Sequence, residues 1–166
     1  QTQTLPWRPF QVPARQWLNA GKLPYPRRDA EMRGTYIARQ GMRYMDENRG
    51  KPFALWVSLM EPHSPFDFPI EDRNLFDSRQ FKVPEVGPQD PPQIPLIFRD
   101  LSPEEKQGII AAYYTSAHFM DRNFGRVLDH LKKLGLEDDT LVVYTADHGY
   151  DLGHHGRFEK HCGYDQ

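Results

Sequence analysis

The chain has 166 residues, 38% of them apolar and 27% charged, with a formal net charge of −2. That suffices for one ordinary domain with a core of its own. With no block of like charges, it excludes a nucleic acid or an anionic membrane as an electrostatically recruited partner, and no apolar run reaches the about 20 residues of a spanning helix.

From the N-terminus, the chain opens on QTQTLPWRPF without Met. A processed or internal piece begins this way, so a missing leader says nothing about location. Residues 1–28 are rich in Pro, Arg and aromatics without a period, and read as an irregular segment wrapping a surface. Met32, Tyr36, Ile37, Tyr44 and Met45 recur at helical spacing over residues 29–48, and Gly50 is the stop signal. PFALWVSLM (52–60) is a short apolar run, the pattern of a strand buried on both faces. Residues 77–100, with KVPEVGPQDPPQIP, read as mostly loop.

The longest periodic segment is 102–134. Ser102-Pro103-Glu104-Glu105 has the form of a capping box with Pro at the first helical position. Ile110, Tyr113, Ala117, Met120, Phe124, Val127, Leu128, Leu131 and Leu134 form one apolar stripe, and Tyr113, Tyr114 and Phe124 read most simply as core. Lys132 and Lys133 occupy the last turn and Gly135 closes it. A strand at 141–144 then completes a helix-to-strand step of a parallel sheet. The layout is therefore an irregular segment plus helix (1–50), a strand and loop (51–69), a Pro-rich connector (70–101), and a helix, strand and loop (102–166).

Both strands end in chemically loaded loops, Glu61-Pro62-His63-Ser64-Pro65-Phe66 and Thr145 to Gly149. In open α/β sheets ligands bind outside the carboxyl ends of strands. Parallel strands would bring His63 to the Asp147–His148 pair. Adjacent Asp and His at a strand end suit a metal site or acid/base work, although Asp and Gly also make plain turns. Asp147, His148, Asp151 and His154 keep a zinc reading open. Cys162, the single cysteine, excludes an internal disulfide and leaves the redox compartment open.

PFALWVSLMEPHSPFDFP, AAYYTSAHFMDRNFGRVLDHLKKLGLEDDT and LVVYTADHGYDLGHHGRFEKHCGYDQ, in this order, resemble the sulfatases of the alkaline phosphatase superfamily. The likeness is strong over 52–69 and 104–166 and weak elsewhere. It implies an α/β fold, a mostly parallel sheet flanked by helices, here incomplete. It implies a divalent-cation ligand at Asp147 and a further one at His148, where the family has Asn or His. His of that kind is found in phosphonate and phosphodiester hydrolases of the group. His63 and Lys160 match residues that contact the oxygens of the transferred group, which makes them the expected catalytic and substrate-binding side chains. His155 matches a His that shapes the turn, and His154 stands where Glu is usual. Charge building on the ester oxygens is what a cation, a Lys and a His would stabilise. The cation is expected to be calcium, with manganese or magnesium as alternatives.

The family's nucleophile motif, Cys or Ser in Cys/Ser-x-Pro/Ala-x-Arg, does not occur in this sequence. A formylglycine nucleophile is therefore expected outside the chain, together with the paired metal Asp residues and the nucleophile's supporting Lys and His. The family also continues beyond GYDQ. The expected partners are the remainder of a parent polypeptide and a small-molecule or carbohydrate sulfate ester. The isolated piece is expected to be inactive. Resemblance favours a periplasmic or secreted location and leaves a cytoplasmic one open. Two rivals stand beside a sulfuric ester hydrolase: a phosphonate monoester or phosphodiester hydrolase, and a non-catalytic binding module of the same fold.

Overall fold

Residues 14–161 are described in a computed structural model; the expectations placed on residues 1–13, on Cys162 and on the terminal GYDQ lie outside them. Four α-helices form in this range: α1 (Ala14–Trp17), α2 (Arg33–Asn48), α3 (Leu96–Arg99) and α4 (Pro103–Lys133).

Helix α4 starts and stops where its sequence dictates. The Glu105 N–H donates to Ser102 Oγ at 3.2 Å and the Ser102 N–H donates to Glu105 Oε2 at 2.8 Å, closing the capping box. At the other end Gly135 takes a φ of 69°. Its N–H donates to Lys132 O and that of Leu136 to Leu131 O, a Schellman pair that satisfies two terminal carbonyls. Helix α2 starts later than its periodicity suggests. Asp29–Glu31 forms a separate 3-10 turn, and Met32 is extended with ψ 147°, so the α-helix begins at Arg33.

The buried face of α4 differs from the predicted stripe. Gly108, Ile109, Ala112, Thr115, Ser116, Phe119 and Asn123 are buried, whereas Ala117, Met120, Phe124, Val127 and Leu128 are only half-buried. Small residues win that face because backbone comes close there. A Cβ on Gly108 would lie 1.9 Å from the Ala20 carbonyl oxygen, and Ser116 Oγ donates to the Asp67 carbonyl at 2.8 Å. Leu18, Phe66, Phe68, Ile109, Phe119 and Phe158 form the densest part of the core. Tyr113 and Phe124 are half-buried and Tyr114 is exposed, so the aromatic core assignment moves to these phenylalanines.

An ionic cluster fastens α4 to the chain that precedes it. Arg122 makes a two-armed contact with Asp72, at 2.9 and 2.8 Å, and lies 2.9 Å from Asp29. Arg126 makes a second two-armed contact with Asp29, both at 2.8 Å, and donates to Asn123 Oδ1 at 2.7 Å. Thr35 donates to Asp29 at 2.7 Å, which brings in the first turn of α2. Burial opposes ionisation of Asp29, but the hydrogen bonds from Arg126 and Thr35 and the charges of Arg126 and Arg122 outweigh it, and its pKa falls to about 2.

The expected parallel sheet is not present among the described residues, where no strand forms. Residues 52–60 and 140–146 run outside helices and turns, and no backbone ladder joins them to each other or to another described segment. The first still behaves as a strand. Phe53, Leu55, Val57 and Leu59 are half-buried, while Ala54, Trp56, Ser58 and Met60 between them are exposed, the period-2 alternation of pleated backbone. The second is exposed at every position from 141 to 146, with Leu141 89% and Val143 74% exposed. A strand is defined by its hydrogen-bonded neighbour, and neither segment has one among the described residues. The Pro-rich connector matches its expectation, irregular chain interrupted by 3-10 turns at Ser78–Gln80 and Pro91–Gln93 and by α3.

Candidate active site

Between α4 and the two extended segments lies a largely apolar cavity of about 1930 Å³, and His63, Asp147, His148 and Lys160 all line it. The half-buried residues of α4, Met120, Phe124, Val127 and Leu128, form part of its wall. The stripe read from the sequence therefore faces this cavity from Tyr113 to Leu131, while its first residue, Ile110, packs in the core as expected.

His63 sits in successive turns, its own N–H donating to Met60 O and its carbonyl accepting from Phe66 N, each at 2.9 Å. Its Nδ1 lies 2.8 Å from the Ser64 carbonyl. A carbonyl only accepts, so Nδ1 carries the proton and Nε2 is the free position. Trp17 of α1 stands edge-on to the imidazole, ring centres 6.2 Å apart. This contact had no signal in the sequence, because the two residues are far apart in it.

Asp147 and His148 follow the second extended segment. His148 Nδ1 lies 2.8 Å from the Gly149 carbonyl, so its proton sits there too and Nε2 keeps its lone pair. That Nε2 is 3.3 Å from Asp147 Oδ2. The His148 N–H donates to Asp147 Oδ1 at 3.0 Å, which orients the carboxylate. A carboxylate oxygen and an imidazole nitrogen thus converge, with the ring held from behind by a carbonyl as metal-ligating histidines are. The pair fits part of the shell of a divalent cation. Among the described residues no three His, Cys, Asp or Glu side chains come close enough to hold a metal, so Asp151 and His154 do not complete a zinc site with it.

The turn after this loop is a small hairpin. Asp151 N–H donates to Glu159 O and Gly153 N–H to Arg157 O, each at 2.8 Å, around the 3-10 turn His154–Gly156. The Arg157 guanidinium pairs with the Glu159 carboxylate. His155 adopts φ 52° and its Nδ1 lies 3.1 Å from Asp90 Oδ1, which ties the hairpin to the Pro-rich connector. His154 is exposed, and neither it nor His155 lines the cavity. Lys160 leaves the end of the hairpin into the cavity wall.

Sequence reasoning passed over Glu61, Asp67 and Tyr150. Glu61 lines the cavity, and its Oε2 is buried without a hydrogen-bond partner. Burial raises its pKa. Burial, and next the negative charge of Glu61, lift Asp67 to about 6. Acidic residues beside a loop motif look like solvated charges in a sequence. Residue 61 continues the alternation of half-buried and exposed positions that runs from 53 to 60, which corrects the reading of that apolar run as buried on both faces.

The Sulfatase family model matches residues 11–166. The chain belongs to the sulfatase family, within the alkaline phosphatase superfamily. Among curated proteins it is 29% identical to a sulfatase of Formosa agariphila, over 83% of this chain and 30% of that protein. It is also 29% identical to the iduronate 2-sulfatase of Homo sapiens, over 69% of this chain and 24% of that one. Among solved structures it superposes on a phosphonate monoester hydrolase from Silicibacter pomeroyi with a TM-score of 0.74 and 25% identity, over 94% of this chain and 36% of its counterpart. The chain thus spans roughly a quarter to a third of the length of the proteins it matches.

Proposed function

We propose that this chain is part of a metal-dependent hydrolase of sulfuric esters, to which it contributes two cation ligands and two contacts to the ester oxygens. The observation that carries this reading is that Asp147, His148, His63 and Lys160, drawn from three separate loops, line one cavity in a chain of the sulfatase family.

Asp147 and His148 would hold one divalent cation through Oδ and Nε2. An oxygen and a nitrogen donor suit calcium, magnesium or manganese. When bound, the cation stabilises negative charge developing on the sulfuryl group. Lys160 donates from its ammonium to the non-bridging oxygens. His63 can donate from Nε2 only as the imidazolium, because its Nδ1 proton is committed to Ser64 O. Both contacts strengthen as charge accumulates, so they favour the transition state over the bound substrate. The nucleophile, a formylglycine on our reading, would come from polypeptide outside this chain, which makes the isolated chain inactive.

A second reading has its own support, since the structural neighbour is named a phosphonate monoester hydrolase. Its substrate presents the same tetrahedral oxygens to the same donors. Steady-state kinetics on the complete polypeptide with an aryl sulfate, an aryl phosphonate and an aryl phosphodiester decide between them. The sulfatase reading expects the highest kcat/KM for the sulfate. A preference for the phosphonate by tenfold or more, about 1.4 kcal/mol in barrier, would establish the second. No turnover of any ester would refute both.

A further inference from the structure

We propose that Tyr150 is a positioning residue that sets the spacing between the two oxygen-contacting side chains, His63 and Lys160; this rests on the hydrolase reading above. The Tyr150 hydroxyl donates to the Phe158 carbonyl at 2.8 Å. With its one proton used there, its oxygen accepts from Ser64 Oγ, 3.4 Å away. One phenol therefore touches the residue next to His63 and the segment that ends in Lys160.

The hairpin explains why a side chain is needed at that point. The carbonyls of Arg157 and Glu159 accept from the backbone N–H groups of Gly153 and Asp151. The Phe158 carbonyl points to the other side, as alternate carbonyls of extended chain do, and the phenol supplies its donor. Lys160 leaves the hairpin two residues later. The ring itself is held edge-on against Phe66 at 5.3 Å and tilted against Tyr113 at 5.9 Å. The hydroxyl is thereby fixed from the His63 loop and from α4 together. Removing the hydroxyl alone leaves these ring contacts in place, so the role of the spacing can be separated from that of packing.

The test is a mutant cycle on the complete polypeptide. Tyr150→Phe should lower kcat about tenfold while KM stays within about twofold, the loss of one orienting hydrogen bond felt in the transition state. In a Lys160→Ala background the same substitution should lose most of its effect, because the side chain it positions is gone. Unchanged kcat in Tyr150→Phe, or full multiplication of the two effects, would overturn the proposal. A second readout does not need turnover. Amide hydrogen exchange at residues 157–160 and at His63 and Ser64 should quicken in Tyr150→Phe while the centre of α4 keeps its protection. Unchanged exchange at those amides overturns the positioning role whatever the substrate. Faster exchange in a protein whose wild type hydrolyses no ester would instead sink the hydrolase reading, and the catalytic purpose of the spacing with it.

Discussion

At the scale of single residues, the tautomer of His63 sets the chemistry it can perform. With Nδ1–H on the Ser64 carbonyl, a neutral ring offers the site an acceptor and a charged ring offers a donor. At fixed neutral pH, His63→Ala and Lys160→Ala should each lower kcat about a hundred- to thousandfold with little change in KM, the usual loss for one oxyanion donor. His154→Ala should stay near wild type, since that exposed side chain lies outside the cavity lining.

At the scale of elements, the helices show what a sequence carries and what it hides. The start and end of α4 were legible, because a capping box and a C-terminal glycine act within a few residues of each other. Which face of α4 is buried was not. Apolar periodicity marks a face that avoids water, and here two faces do, one against Ala20 and Asp67 and one against the cavity. The Asp29–Arg126 pair, 97 residues apart, had no local signature at all.

Two partly buried carboxylates, Asp29 and Asp67, give the fold opposite responses to acid. Asp29 is held at about 2 in the fold, below the about 3.9 of an unfolded Asp. The unfolded chain binds more protons between these values, so the stability Asp29 contributes is present above pH 4 and lost as pH falls toward 2. It amounts to on the order of 1–2 kcal/mol once its partial exposure is discounted. Asp67 is held at about 6, so the fold binds the extra proton and stability declines as pH rises from about 4 to about 6. Chemical denaturation across pH 3–7 measures both. Asp29→Asn should remove the acid-side loss, and Asp67→Asn should flatten the decline above pH 4.

At the scale of the whole molecule, the expectation that His63 would come near the Asp147–His148 pair rested on a parallel sheet that does not form among the described residues. His63 and Asp147 share a cavity even though residues 52–60 and 140–146 have no ladder between them. Their loops meet through Ser64 and Tyr150 instead. The open segments carry a consequence of their own. Trp56 at 83% exposed and Leu141 at 89% stand on backbone that is unpaired among the described residues, the combination that recruits another chain. The isolated 166-residue chain should therefore self-associate, as light scattering or analytical ultracentrifugation would record. A monomer with a sharp cooperative melt would contradict that expectation.

If the Asp147–His148 pair belongs to a cation-dependent ester-cleaving site, as proposed, removing the Asp147 carboxylate abolishes turnover. In the complete polypeptide supplied with divalent cation, kcat/KM for an aryl sulfate is measured for wild type and Asp147→Ala, with circular dichroism on both. The expected result is turnover by wild type, none measurable in the variant, and superimposable spectra, because Asp147 is exposed and orders only its own loop. Wild-type turnover in a folded Asp147→Ala protein would contradict it.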